Sequence, residues 1–391
     1  HALLSNFHRR IVAVMNITQP LALLGGLSPK QFMRRHWQKK PLLVRQAIPD
    51  FKALLDRAAL FALAADDDVE SRLVVHGPKG WQIRSGPFTR RALPPLKRPE
   101  WTLLVQGVDL HVDAAHDLLQ QFRFVPEARL DDLMISYATD GGGVGPHFDS
   151  YDVFLLQAQG RRRWRIARQS DLALQHGVPL KILSRFVPEQ EFVLEPGDML
   201  YLPPRYAHEG VALGECMTYS IGFRAPNRGE LGRELLQRLA DAAGDAAGSA
   251  PYRDAAQPAV DSPGRIPARL QEFAQHAVQA ALKDSRAPCR VLGEYLTEPK
   301  AHVWFDAGRA PRRLGRVVLD RRTRMMFDAD SIFINGESYP AGARDAAMLR
   351  QLADRRCLGA DDLERASPDV LSLLACWYEA GWLHEGAPRA L

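Results

Sequence analysis

Only four cysteines occur in 391 residues, Cys216, Cys289, Cys357 and Cys376, and no two of them form a CxxC pair. A zinc ribbon and a disulfide framework are thereby disfavoured, and a reducing, cytoplasmic setting is expected. Long hydrophobic runs are missing too. Apolar stretches such as 11–15 and 21–24 fall far short of the ~20 residues that a membrane span needs. Arg9 and Arg10 precede the first of them, but Asn16, Thr18, Gln19 and Pro20 interrupt any apolar core, so no signal peptide is expected. Met15 is a candidate start, which would set residues 1–14 outside the native chain.

What is present is an ordinary globular composition, 46% hydrophobic and 25% charged, in a chain long enough for two or three domains. The net charge of +5 and a sequence pI of about 9.1 bias the protein toward anionic surfaces, of which ribosomes are one and DNA another.

Chemistry concentrates between Met134 and Ile166. His147 and Asp149 are two residues apart, so on a β-strand both side chains leave the same face and can grip one metal ion. A second segment, EPGDMLYLPPRYAHEG, supplies His208 just after the turn residues Pro203 and Pro204. Two histidines and one carboxylate make the facial triad of non-haem Fe(II) oxygenases, which leaves metal positions open for a cosubstrate and dioxygen. Zinc accepts the same donors, so the triad alone does not choose the metal. Gly141, Gly142, Gly143 and Gly145 are expected to let the backbone pass close to a bound ion or ligand.

The arginines narrow the choice. An oxygenase of the 2-oxoglutarate type needs a cation for the far carboxylate of the cosubstrate, and a guanidinium offers bidentate geometry. If residues 162–167 form a strand, Arg162 shares a face with Trp164 and Ile166, while Arg161, Arg163 and Arg165 face the other way. Arg162 is the expected carboxylate clamp and the odd-numbered arginines a solvated face. The competing reading makes all of them surface charge.

These motifs resemble those of the JmjC-type ribosomal oxygenases. The likeness rests on DDLMISYATDGGGVGPHFDSYDVF, GRRRWRI and EPGDMLYLPPRYAHEG, and also on RRHWQKKPLLVRQA, DDDVESRLV and MTYSIGFRAPN, so it covers most of residues 30–228. It implies Fe(II) at His147, Asp149 and His208, with no catalytic residue beyond the metal centre. It further implies 2-oxoglutarate contacts at Arg162 and at Ser136 on the preceding strand, with Ser220 as a further one, and dioxygen as second cosubstrate. The implied reaction hydroxylates the β-carbon of an arginine in large-subunit ribosomal protein sixteen. Such a substrate needs local acid, for which Asp140 and Asp152 are candidates, although loop aspartates commonly cap turns.

The rest of the chain reads as follows. Ser28, Pro29 and Gln31 mark a helix N-terminus with a capping box, and the helix should run to about Trp37. Residues 42–44, 72–75 and 101–105 read as short strands, the first outside the ligand-bearing core, and 51–64 as helix. His36, His76, His111 and His116 have no partner at ligand spacing. Residues 133–223 read as short strands bounded by Gly and Pro, as in a double-stranded β-helix, a jelly-roll barrel. Helical stripes follow at Leu231, Leu235, Leu236 and Leu239 and at Leu270, Phe273, Ala277 and Ala281, separated by a loop over 241–263. The resemblance suggests that these helices meet a second copy of the chain; otherwise they pack on the barrel.

Near the end, 331–334, Asn335-Gly336 and 337–339 form a hairpin signal. Helices over 345–352 and 370–378, the latter capped by Ser367 and Pro368, precede a terminal strand at 382–383. A winged-helix module is expected, which the resemblance also implies. Seven arginines between Arg309 and Arg324 could meet phosphates, but a protein-contact role is preferred because the late helices are apolar. The expectation is a mixed α+β protein: an extension (1–27), the oxygenase barrel (28–228), a helical dimerisation region (229–300) and a winged-helix-like domain (301–391). Nucleic acid is not the expected substrate and no membrane is involved. Three alternatives stay open: histidyl hydroxylation, lysine demethylation, or a non-enzymatic metal-bearing regulator.

Overall fold

A computed structural model describes residues 15–247, 249–340 and 345–386. Residues 11–14 of the apolar run at 11–15, and the residues that would precede a start at Met15, lie outside the described residues. No helix among the described residues is long and apolar enough to cross a membrane.

The first helix, Pro29–Arg35, begins as its sequence dictates: Gln31 N–H donates to Ser28 Oγ at 3.2 Å and Ser28 N–H to Gln31 Oε1 at 2.9 Å. It stops two residues before Trp37. The next helix, Arg57–Leu63, is capped by Asp56 and is shorter than its leucine pattern predicts. Strands β1 (Leu42–Val44), β2 (Ser71–Gly77), β3 (Gly80–Ser85), β4 (Trp101–Val105), β5 (Leu130–Ala138), β6 (Val153–Ala167), β7 (Gln190–Leu194), β8 (Met199–Leu202) and β9 (Ala207–Phe223) form one hydrogen-bonded sheet. Its order is β1-β8-β6-β9-β5-β4-β2-β3, with β7 on β6. β1 is not separate from the core as expected, because it pairs with β8. Edge strand β3, not anticipated from the sequence, leaves four of its six residues exposed and half-buries only Trp81 and Ile83.

The long strands β6 and β9 give the sheet its barrel shape. β6 pairs with β8 through Val153–Leu156 and with β7 through Arg162–Ile166, while β9 follows it along its whole length. Register shifts near Gly160 bend the ladder between those two halves. This is a double-stranded β-helix. Alternation then sorts the side chains: Ile135, Tyr137, Phe154, Leu156, Tyr219 and Ile221 enter the main core, and their neighbours Met134, Ser136, Val153, Leu155, Thr218 and Ser220 face the barrel cavity.

Beyond the barrel, helices Arg228–Ala247 and Ala268–Ala281 pack together. The first runs further into the expected loop than its Ala- and Gly-rich sequence indicates. Leu236, Phe273 and Val278 remain exposed, while Leu231, Leu235 and Leu239 are half-buried. A helix not anticipated from the sequence, Ala287–Thr297, lies against the C-terminal hairpin, with Ser338 Oγ donating to Glu294 Oε1 at 2.6 Å. That unit holds β10 (Val317–Leu319), β11 (Met325–Phe327), β12 (Ser331–Ile334), β13 (Glu337–Pro340), β14 (Cys357–Leu358) and β15 (Leu383–Glu385), with helices Ala346–Arg355, Ala360–Glu364 and Pro368–Glu379. Asn335 and Gly336 turn the β12–β13 hairpin with φ of 48° and 89°, the left-handed pair such a turn requires. Four of the seven arginines at 309–324 are held by protein: Arg313 by Glu364, Arg321 by Asp113, Arg322 by Asp320 and Asp306, and Arg324 by the Leu296 carbonyl.

Candidate functional site

The two ligand-bearing segments are stapled by their backbones. His147 N–H donates to the His208 carbonyl at 2.9 Å, His208 N–H returns to the His147 carbonyl at 2.8 Å, and Arg205 N–H donates to the Asp149 carbonyl at 2.7 Å. His208 is the second residue of β9, but His147 and Asp149 do not lie on a strand as expected. Only the bridge at His147 is sheet-like, and Asp149 sits in the loop before β6. The reciprocal bridge nevertheless puts both imidazoles on one side, with ring centroids 4.2 Å apart.

Donor atoms of His147, Asp149 and His208 all lie within 4.8 Å of one another. His208 Nε2 is 3.6 Å from Asp149 Oδ2. Each imidazole is held at its other nitrogen: His147 Nδ1 is 2.9 Å from the Gly145 carbonyl and His208 Nδ1 is 2.9 Å from the Tyr206 carbonyl. A carbonyl can only accept, so both rings carry their proton on Nδ1 and turn an Nε2 lone pair toward the shared point. Burial, reinforced by neighbouring His147, pushes His208 down to about 4, which keeps it neutral at ordinary pH.

Gly143 and Gly210 are required here for close approach between segments of the backbone. A Cβ on Gly143 would stand 2.5 Å from the Gly210 carbonyl, and one on Gly210 would stand 2.7 Å from the Trp164 ring. These contacts are with backbone and an indole. Gly143 therefore seats the ligand loop on β9, while Gly142 lies against the Trp101 and Thr139 carbonyls and Gly145 against Ile182 and Trp81.

A cavity of about 380 Å³ opens beside the triad, lined among others by Ser136, Arg162, Trp164, Thr218 and Ser220. Arg162 is buried, and its Nη2 donates to Ser136 Oγ at 3.2 Å. Its Cζ lies 5.8 Å from the Trp164 ring centroid. Among the described residues Arg162 Nε and Trp164 Nε1 find no acceptor, and no carboxylate stands within ion-pair distance of Arg162. Of the odd-numbered arginines Arg161 is exposed and Arg165 is paired to Glu209 at 2.8 Å through Nε, but Arg163 is half-buried with its Nε shielded from solvent.

Asp140 and Asp152 do not reach this cavity. Asp140 Oδ1 accepts the Gly214 N–H at 2.8 Å. Asp152 is fully buried and accepts the Tyr201 hydroxyl at 2.6 Å and Gln38 Nε2 at 3.1 Å. Both serve the fold. The acid in the cavity wall is instead Asp131 and Asp132, with Tyr151 and Gln106 near them. Burial, with the charge of Asp131, raises the Asp132 carboxyl, and Lys300 acts against that rise. The sequence showed these two aspartates at the head of β5, but nothing local told which strand end would close the cavity.

Comparison with known proteins decides the family. The JmjC domain description matches residues 117–231 and the ROXA-like winged helix matches residues 280–384. The ribosomal protein uL16 3-hydroxylase of Escherichia coli is 33% identical over 372 residues, covering 91% of this chain and 97% of that protein. The chain belongs to the JmjC ribosomal oxygenases. A probable ribosomal oxygenase of Haemophilus influenzae is 37% identical over 211 residues, about half of each chain. A solved structure of the ribosomal oxygenase YcfD from Escherichia coli in complex with cobalt and 2-oxoglutarate superposes with a TM-score of 0.74 at 30% identity, covering 92% of this chain and 99% of that one. The mixed α+β architecture, barrel followed by winged helix, is thus that of a ribosomal oxygenase.

Proposed function

We propose that this ribosomal oxygenase is an Fe(II)- and 2-oxoglutarate-dependent dioxygenase that hydroxylates the β-carbon of an arginine in large-subunit ribosomal protein uL16. One observation carries the reading: three convergent metal donors and an unpaired, buried guanidinium share a single cavity. The donor set fits Fe(II), and the free Nε of Arg162 fits a carboxylate. His147, Asp149 and His208 would hold the metal; Arg162, with Ser136 and Ser220 beside it, would hold the far carboxylate of 2-oxoglutarate. When bound, Fe(II) and 2-oxoglutarate supply the oxidising chemistry that couples decarboxylation of the keto acid to C–H hydroxylation by dioxygen.

This chain's own residues do the placing. The Gly145 and Tyr206 carbonyls orient the two imidazoles, Trp164 and Leu155 keep the inner wall apolar, and Ser136 fixes one arm of Arg162. Asp132, its oxygen also accepting the Gly107 N–H at 3.1 Å, offers carboxylate charge to a substrate guanidinium at the opposite wall. Asp140 and Asp152 have no part in this reading.

The same reading makes the protein a homodimer through helices Arg228–Ala247 and Ala268–Ala281, whose Leu236, Phe273 and Val278 are 63%, 39% and 60% exposed in the single chain. We divide the chain into the barrel (28–228), this helical pair, and a winged-helix unit that starts with the helix Ala287–Thr297 rather than at residue 301. Nucleic acid is not the substrate.

The test is intact mass spectrometry of large-subunit ribosomal proteins after incubation with the protein, Fe(II), 2-oxoglutarate and ascorbate, with His147→Ala as control. A gain of one oxygen on uL16, absent in the control and placed on an arginine by fragment spectra, is the expected result. Turnover of 2-oxoglutarate with no mass gain on any ribosomal protein would overturn the substrate assignment alone.

A further inference from the structure

Charge of one sign is gathered in one segment. Residues 71–99 contain seven Lys and Arg and no Asp or Glu, whereas the rest of the chain carries 44 basic against 46 acidic side chains. The protein's positive net charge therefore comes wholly from this stretch, which forms β2, β3 and the loop leading to β4.

Six of those cations, Lys79, Arg84, Arg90, Arg91, Lys97 and Arg98, are exposed. Among the described residues the ion pairs of the segment are Arg72 with Glu70 at 4.0 Å and His76 with Glu100 at 3.4 Å, both with partners just outside it. Among the described residues none of the six exposed cations has a carboxylate within ion-pair distance. Arg84 and Arg90 lie instead over Phe88 and Phe61, at 5.5 and 5.6 Å from the ring centroids, and Arg84 Nη2 donates to the Ala92 carbonyl at 2.6 Å. Arg98 lies against Gly77, at the same hairpin end as Lys79. The winged helix is different, because most arginines of its basic stretch are bound to protein groups.

The patch adjoins the reaction site. Arg72 and Ile83, on β2 and β3, line the cavity. Trp81, 4.4 Å from the His76 ring, borders Gly145, whose carbonyl orients His147. Six uncompensated cations repel one another and attract a polyanion, while the partly exposed Trp81 ring offers a base something to stack on. A basic ribosomal protein would be repelled by this surface.

We propose that the β2–β3 hairpin and the 86–99 loop are a docking surface for the phosphodiester backbone of RNA, so that the oxygenase meets its protein substrate in the company of RNA. The second clause rests on the substrate reading above; the docking surface does not.

The experiment is fluorescence anisotropy of the full-length protein with a short fluorescein-labelled RNA of mixed sequence across a salt series. Binding should weaken with salt at a log–log slope of about −2 to −4, as three to five phosphate contacts give. K79E/R84E/R91E/K97E/R98E should weaken binding by at least about tenfold at low salt, whereas R309E/R312E/R316E on the winged helix should bind as the unaltered protein does. Ultraviolet cross-linking of the unaltered protein should map to residues 77–99, and this result decides alone if the charge-reversed variant fails to fold by circular dichroism. Absence of saturable binding at low salt, equal binding by the charge-reversed variant, or cross-links at 309–324 instead would overturn the proposal. Turnover of a free arginine-bearing peptide should survive the charge reversal. Failure of the unaltered protein on that peptide, with RNA binding intact, would bring down the substrate reading and leave the surface standing.

Discussion

Arg162 Nη2 donates to Ser136 Oγ at 3.2 Å although the two residues stand on strands that are not neighbours. β9 lies between β6 and β5, so the long arginine reaches across β9, whose Thr218 pairs with Ser136 in register and also lines the cavity. The hydroxyl occupies one nitrogen and leaves Nε free. R162M should raise the Kd for 2-oxoglutarate by roughly a hundredfold, the loss of about 3 kcal/mol expected when a buried charge-assisted pair loses one partner. R162K should recover only part of it. Calorimetric titration of 2-oxoglutarate into the metal-loaded protein measures both, and an unchanged Kd in R162M would remove Arg162 from the clamp role.

Metal should stabilise the fold, since the donors come from a loop and a strand that only folding brings together. Mn(II) or Co(II) should raise the melting temperature in a concentration-dependent manner, and a chelator should reverse it. H208A should abolish that shift. A melting curve of H208A that still responds to metal would place the ion elsewhere.

Gly210→Ala sets a Cβ 2.7 Å from the Trp164 ring, two residues along β9 from His208. Overpacking of this kind costs roughly 1–3 kcal/mol. The variant should lose stability and turnover together, read by thermal melting and by succinate release.

Lys300 reaches from the segment before β10 to Asp131, with Nζ 2.9 Å from Oδ1 and 3.0 Å from the carbonyl oxygen. It thereby anchors the strand end that carries Asp132 into the cavity. K300M should raise the KM for an arginine-bearing peptide and leave the KM for 2-oxoglutarate unchanged, with K300R restoring the first. Equal effects on both constants would point to a general loss of folding instead.

Asp109 supplies a pH dependence. Burial pushes its carboxyl up to about 6, with Lys300 opposing and Asp132 reinforcing that rise, while Oδ1 accepts the Leu133 N–H at 2.8 Å. The folded state therefore holds the proton more tightly than the unfolded chain. Stability from this group is fully present below the ordinary carboxyl range and is lost as pH rises through about 6. Asp109→Asn keeps an acceptor and cannot ionise, so its melting temperature should fall less than that of the unaltered protein between pH 4.5 and pH 7.5. Parallel curves for the two proteins would contradict this.

Local chemistry was legible in advance wherever neighbours along the chain decide it. The capping box at Ser28, the Asn335-Gly336 turn, the cap at Ser367 and the face shared by Arg162 and Trp164 all follow from contacts within a few residues or from strand alternation, and the structure has each of them. The donor residues of the triad were legible in the same way, as a spacing. That His147 rests on a single bridge instead of a strand was not, because the bridge depends on His208, 61 residues away.

The sequence by itself determined the candidate metal donors, the candidate clamp arginine, the barrel class and the winged-helix hairpin, since each is written in side-chain type and short-range backbone preference. Only the tertiary structure decided that Asp131 and Asp132 enter the cavity while Asp140 and Asp152 hold backbone and tyrosine, that Gly143 meets β9, and that the helix Ala287–Thr297 joins the C-terminal unit. Those assignments depend on which strand ends and helices lie opposite one another across the fold, and a carboxylate or glycine carries no local mark of its distant neighbour.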